Sequence, residues 1–198
     1  MEAPAVAAPV AGCHEGALTR TIGVAIPIPE PWGGELQRHR ESFGDPMARS
    51  IPTHVTLLPP TEVPLEQLEA VEDHLQSVAG SCEPYTVRLR GTATFRPVSP
   101  VVFVQLAQGI AECERLEEQV RSGPLARETA FNYHPHVTVA HHLPDEALDR
   151  AFAELADYDV EFEVWGFSLF GHGPDGVWRP QRDYVLGQAL PGPVPEDG

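Results

Sequence analysis

Two histidines, His54 and His136, each stand two residues ahead of a threonine, Thr56 and Thr138, inside short apolar runs. In an extended chain, successive side chains alternate between faces, so His54 and Thr56 share one face while Val55 and Leu57 take the other. The same alternation unites His136 with Thr138. An in-line displacement at phosphorus needs one group to take a proton from the nucleophile and another to give one to the leaving oxygen. Imidazole suits both tasks because it titrates near about pH 6.5. Threonine hydroxyls on the same face can donate to the non-bridging oxygens as charge reorganises. No metal or other cofactor is needed for that scheme.

The elements that must position these residues come in a repeated order. Pro52-Thr53-His54-Val55-Thr56-Leu57 matches His134-Pro135-His136-Val137-Thr138-Val139, and each is followed by a helix introduced by proline, Pro64 or Pro144. Each helix leads to a strand bearing Gly-x-x-x-Phe, Gly91 to Phe95 and Gly166 to Phe170, and then to a further apolar strand. The repeat predicts two related lobes about a pseudo-twofold axis, with both His/Thr pairs facing one central cleft. Period-two runs predict strands over Thr21 to Ile26, Thr53 to Leu58, Tyr85 to Arg90, Val101 to Leu106, His136 to Ala140, Val160 to Phe170 and Tyr184 to Leu186. Helical spacing predicts helices over Gly34 to Phe43, from Pro64 to Gly80, around Ile110, Cys113, Leu116 and Val120, and around Leu148 to Leu155. Glu66, Glu69 and Glu72 fall on the wet face of the second helix, and Glu112, Glu114, Glu117 and Glu118 on that of the third. The class is α+β, bilobal, with antiparallel sheets lining the cleft and helices outside.

Composition limits the partners. Thirteen basic residues against 29 acidic ones give a formal net charge of 13 − 29 = −16, and every basic residue is arginine. Such a chain repels long duplex nucleic acid and anionic membranes, but leaves room for one phosphate in a local pocket. Cys13, Cys82 and Cys113 are isolated, which argues against a disulfide framework or a thiolate zinc site. The Ala/Pro-rich start has no basic region like that of a signal peptide, and no apolar run approaches a membrane span. These features predict a cytoplasmic protein with a tail over 1–17, a folded unit over 18–190 and a Pro/Gly/acidic tail over 191–198.

Duplicated His-x-Thr strands about eighty residues apart, here His54-Val55-Thr56 and His136-Val137-Thr138, resemble the two-histidine (2H) phosphoesterase superfamily, including the bacterial 2'-5' RNA ligase-like proteins. The resemblance spans nearly the whole folded part. It implies metal-independent action on 2',3'-cyclic phosphate or 2'-5' phosphodiester bonds, a role in RNA processing, and a nucleotide or RNA terminus as partner. By the same resemblance His54 and His136 would be catalytic, and Thr56 and Thr138 would bind phosphate.

Further contacts are suggested by residue chemistry. Arg49 and Arg96 could clamp phosphate oxygens, Tyr133 and Trp178 could stack on a base, and His134 shares its face with His136. Two other readings remain open from the residues. One is a module of the same fold that binds a nucleotide or phosphorylated metabolite without turning it over. The other is a metal centre drawn from His134, His136, His141 and His142, although these lack a supporting carboxylate at helical spacing.

Overall fold

Eight strands join one antiparallel sheet in the computed structural model, which describes residues 18–127 and 132–188. The elements run β1 (Thr19–Pro27), α1 (Trp32–Phe43), β2 (His54–Pro64), α2 (Leu68–Ser81), β3 (Tyr85–Thr94), β4 (Val101–Gln108), α3 (Ile110–Val120), β5 (His136–His141), α4 (Asp145–Glu154), β6 (Asp159–Val164), β7 (Gly166–His172) and β8 (Trp178–Val185). Short 3-10 turns at Pro46–Arg49, Leu65–Gln67 and Gly123–Leu125 fill the connections. Both expected tails, and the boundary placed at Leu190, lie outside the described residues.

The strand order is β6-β3-β4-β5-β2-β1-β7-β8, with the two His-x-Thr strands side by side in the middle. They are joined through one residue pair, Val55 with Val137, which are the equivalent central residues of the two motifs. The pseudo-twofold axis therefore passes between β2 and β5. Residue registers on either side agree with it. Thr56 faces Ala25 across the β1 pairing, as Thr138 faces Phe103 across the β4 pairing. Gly23 pairs with Phe170, and the amide of Phe95 donates to the carbonyl of Val101 at 3.1 Å.

The two halves are not consecutive stretches of chain. The repeat is β1-α1-β2-α2-β3 followed by β4-α3-β5-α4-β7, and the last strand of each copy crosses into the other half. Strand β3 thus pairs with β4 beside β5, while β7 pairs with β1 beside β2. The expected run from Val160 to Phe170 is two strands for the same reason. It breaks at Trp165, β6 pairing with β3 and β7 with β1 on opposite sides of the sheet. The strand after each Gly-x-x-x-Phe segment also differs: β4 is interior and largely buried, whereas β8 is an edge strand with most residues exposed.

Strand β2 runs on to Pro64 beyond the expected end at Leu58. Prolines cannot donate to a ladder, and Pro59 and Pro60 are accommodated where the β1 pairing slips, Val24 facing Leu58 and Ile22 facing Thr61. Helix α1 stops at Gly44, whose φ of 88° lies in the left-handed region that glycine enters without strain. In α2, Val71, Leu75 and Val78 point into the core as their spacing requires.

Alternation along the central strands decides what faces the cleft. Val55, Leu57, Val137 and Val139 are each at most 1% exposed, while His54, Thr56, His136 and Thr138 are half-buried on the opposite face. Burying side chains of this size stabilises by roughly 1.5–3 kcal/mol each, which locks the register and hence the face shown by each histidine. Leu57→Ala is expected to cost about 2–5 kcal/mol in urea unfolding, with Thr56→Ala costing less than about 1 kcal/mol. Equal costs would contradict this division of faces.

Candidate active site

The chain ahead of each histidine fixes its ring. His54 Nδ1 lies 2.7 Å from the carbonyl oxygen of Pro52, and His136 Nδ1 lies 2.7 Å from that of His134. A carbonyl can only accept, so each neutral imidazole carries its proton on Nδ1 and keeps a lone pair on Nε2. The Thr56 hydroxyl is 3.1 Å from His54 Nε2 and can donate to it. The equivalent carbonyls, two residues upstream in both motifs, give both histidines the same tautomer.

The single cleft that the repeat predicts is divided into two cavities, His54 lining one and His136 the other. One, of about 300 Å³, is lined by His54, Thr56, Thr138, His141, Arg40 and Trp178 among others. The second, of about 560 Å³, is lined by His136, His134, Tyr133, Phe95 and the Glu117/Arg121 pair, and again by Thr56. Thr56 and Pro59 border both. The twofold is broken by what faces each threonine. Phe103 and Phe95 pack on the His136 ring, with centroids 4.9 and 5.0 Å away, whereas the position matching Phe103 on the other side is Ala25. Gly23 keeps the first cavity open to Trp178: a Cβ there would lie 3.2 Å from the indole ring.

Burial governs the charge of these groups. His54 is pushed down to about 4, chiefly by burial, against the pull of the Pro52 carbonyl and with further depression from Arg40 and His136. His136 and His141 are also lowered, again mainly by burial. At neutral pH all three are uncharged imidazoles, because burial penalises their charged form.

The other expected contacts divide. Trp178, Tyr133 and His134 line the cavities. The Tyr133 hydroxyl donates to the Thr56 carbonyl at 2.9 Å, so it also ties the second motif to the first, and burial raises its pKa. The two arginines chosen as clamps are elsewhere. Arg96 is held by Asp149 at 2.7 Å and Asp145 at 3.5 Å on α4, and Arg49 is exposed beside a separate hollow with Glu41 and Gly44. Glu117, expected on a wet face, is 7% exposed and pairs with Arg121 at 2.8 Å, because α3 turns that side toward the second cavity. Of the four histidines considered as metal ligands, His134 and His136 line the second cavity and His141 the first. Among the described residues no group of three or more His, Cys, Asp or Glu is arranged to hold a metal ion.

Arg40 was missed. It is 3% exposed and lines the first cavity beside His54. The spacing Leu36, Arg40, Phe43 places it on the buried face of α1, a signal that helical periodicity carries but that net charge hides.

The family profile of the 2'-5' RNA ligase superfamily matches residues 28–176, a stretch containing both motifs. The chain belongs to that superfamily, the 2H phosphoesterases. Among its relatives, a Bacillus licheniformis protein named "putative phosphoesterase" is 30% identical over 145 residues, covering 72% of this chain and 85% of the relative. A Geobacillus kaustophilus protein of the same description is 29% identical over 139 residues, covering 69% and 80%. Solved structures share this fold. E. coli LigT in complex with NADP+ aligns with a TM-score of 0.61 at 20% identity, covering 86% of this chain and all of that one. A structure from Thermus thermophilus aligns at 0.56 with 24% identity, covering 84% and 98%. Among the described residues no helix is long and apolar enough to cross a membrane.

The lowered histidines give a pH prediction. An unfolded imidazole titrates near about 6.5 and folded His54 near about 4, so between these values the unfolded chain binds more protons. Stability is therefore expected to fall as pH drops from about 6.5 toward 4. Proton-detected titration of the His54 ring should show it neutral at about pH 6, and urea midpoints should decline across the same window. A His54 midpoint near about 6.5 would contradict the burial argument.

Proposed function

We propose that this 2H phosphoesterase is a metal-independent phosphodiesterase acting on 2',3'-cyclic phosphate ends of nucleotides or RNA. The observation that carries the reading is the pair of carbonyl-locked imidazoles, each presenting an Nε2 lone pair from one of two twofold-related strands with Thr56 between their cavities. That E. coli LigT has been solved in complex with 3'-AMP, at a TM-score of 0.58 and 20% identity, fits a nucleotide-sized ligand. The strong negative charge favours a single terminus over a long RNA track.

In this mechanism one Nε2 takes a proton from water as the water oxygen attacks phosphorus. The opposite imidazole, protonated, gives its Nε2 proton to the departing ribose oxygen as the P–O bond breaks. Thr138 donates to a non-bridging oxygen, and Thr56 does so once its single hydroxyl hydrogen turns from His54 Nε2 to the phosphate. Both imidazoles are neutral in the free protein, so the one acting as acid must gain its proton with substrate, whose negative charge raises the pKa of a neighbouring histidine. With a 5'-hydroxyl in place of water, the same step is 2'-5' ligation.

Hydrolysis of a 2',3'-cyclic nucleotide in excess EDTA tests the proposal. His54→Ala and His136→Ala are each expected to lower kcat by about 10²- to 10⁴-fold, with the rate for wild type unaffected by chelation. Turnover surviving in both variants, or abolished by EDTA, overturns the reading. Calorimetric binding with no product from wild type would leave the non-catalytic module in its place.

A further inference from the structure

We propose that Arg40 is a positioning residue for His54, acting through the backbone that holds the His54 ring. The inference rests on the catalytic reading for its kinetic consequence, but its structural part stands apart from activity. Arg40 and Asp45 form a buried ion pair, 3.1 Å from guanidinium to carboxylate, with side chains 4% and 0% exposed. The guanidinium is used on two sides. Nε donates to Asp45 Oδ2 at 3.1 Å, and Nη1 donates to the Ile51 carbonyl at 3.0 Å. Asp45 in turn accepts from the Met47 amide at 2.9 Å, and Gln37 from the same helix donates to the Ala48 carbonyl. One end of α1 thus grips the loop from Asp45 to Ile51.

The gripped loop leads directly into the acceptor of His54. The Ile51 carbonyl belongs to the peptide unit before Pro52, and the next carbonyl, that of Pro52, takes the His54 Nδ1 proton. On the far side, the Thr53 hydroxyl donates to the Gly33 carbonyl at 3.0 Å, and the Thr53 carbonyl accepts from the Ile28 amide at 3.3 Å. The peptide units before and after the one that carries the Pro52 carbonyl, Ile51–Pro52 and Thr53–His54, are therefore pinned, leaving that carbonyl little freedom to rotate. His136 has the same carbonyl contact but a different support, Phe95 and Phe103 packing on its ring, and among the described residues no ion pair grips the segment from Asn132 to Pro135. The polar brace replaces the aromatic support that Ala25 cannot give to His54.

A fork-shaped guanidinium can reach Asp45 and Ile51 together, which a lysine ammonium at the same place cannot do with matched geometry. Removing Arg40 alone would strand a buried carboxylate, so the informative variants are Arg40→Lys and the charge-neutral Arg40→Met/Asp45→Asn. The experiment is long-range proton–nitrogen correlation of the imidazoles, with His136 as an internal control, alongside kcat, KM and the pH–rate profile on a 2',3'-cyclic nucleotide. In wild type both rings should be in the Nδ1–H form. In both variants His54 alone is expected to become a mixture of tautomers, kcat to fall about 10- to 100-fold with KM nearly unchanged, and the pH–rate profile to shift on one limb. Tautomers that stay as in wild type, or that change equally at His54 and His136, overturn the proposal. Should the double variant fail to fold, Arg40→Lys decides, and a wild-type His54 spectrum in it overturns the proposal. A wild type with no turnover would refute the catalytic reading, while the tautomer comparison would still judge the brace.

Discussion

Everything in this fold that bears on chemistry depends on the meeting of Val55 and Val137 at the middle of the sheet. Two equivalent residues can face each other across an antiparallel junction only if the strands are related by a twofold, so this pair fixes the symmetry of the whole. It also fixes the faces. With both valines turned into the core, the residues on either side of each must turn out, and those residues are the two histidines and two threonines. A sheet face with four polar side chains, shared between two cavities, thus follows from burying two valines and their neighbours Leu57 and Val139.

Symmetry at the backbone does not extend to the side chains. Both rings are held by an upstream carbonyl, but His136 has two phenyl rings packed against it as well, while the peptides flanking the carbonyl of His54 are tied to α1. The cavities differ in the same sense. One has small residues on its floor and a buried ion pair in its wall, while the other is larger and aromatic. A reaction across phosphorus asks different things of its two sides, since one hosts the entering group and the other the leaving group. The difference between Ala25 and Phe103, equivalent positions in the backbone, is where a duplicated sheet acquires that asymmetry.

Much of this is legible in the sequence because it depends on periodicity and on duplication. Period two places His54 with Thr56 and His136 with Thr138, and three landmarks in the same order expose the repeat. What is not legible is what depends on tertiary pairing. Nothing local in Gly91 to Phe95 says that this strand joins the half built on β5, nor does Val160 to Phe170 announce a break at Trp165. The arginines show the same limit. Arg49 lies shortly before the first motif and Arg96 just after Gly91 to Phe95, yet Arg49 is exposed and Arg96 is drawn off by two aspartates on α4, whereas Arg40 is brought in by the buried face of its helix. Proximity in sequence is a weaker guide than helical phase.

The exchange of β3 and β7 between halves has a consequence in time. A chain emerging from its N-terminus makes β1 and β2 early, but the strand that covers the outer edge of β1 is made only after Gly166. Until then the β1 edge, with its apolar run Ile22 to Ile26, has its partner on one side only. Contacts separated by more than a hundred residues close late and slowly. Until β7 is made, the β1 edge is therefore an unpaired apolar sheet edge, the kind of surface to which a strand of a neighbouring chain can add.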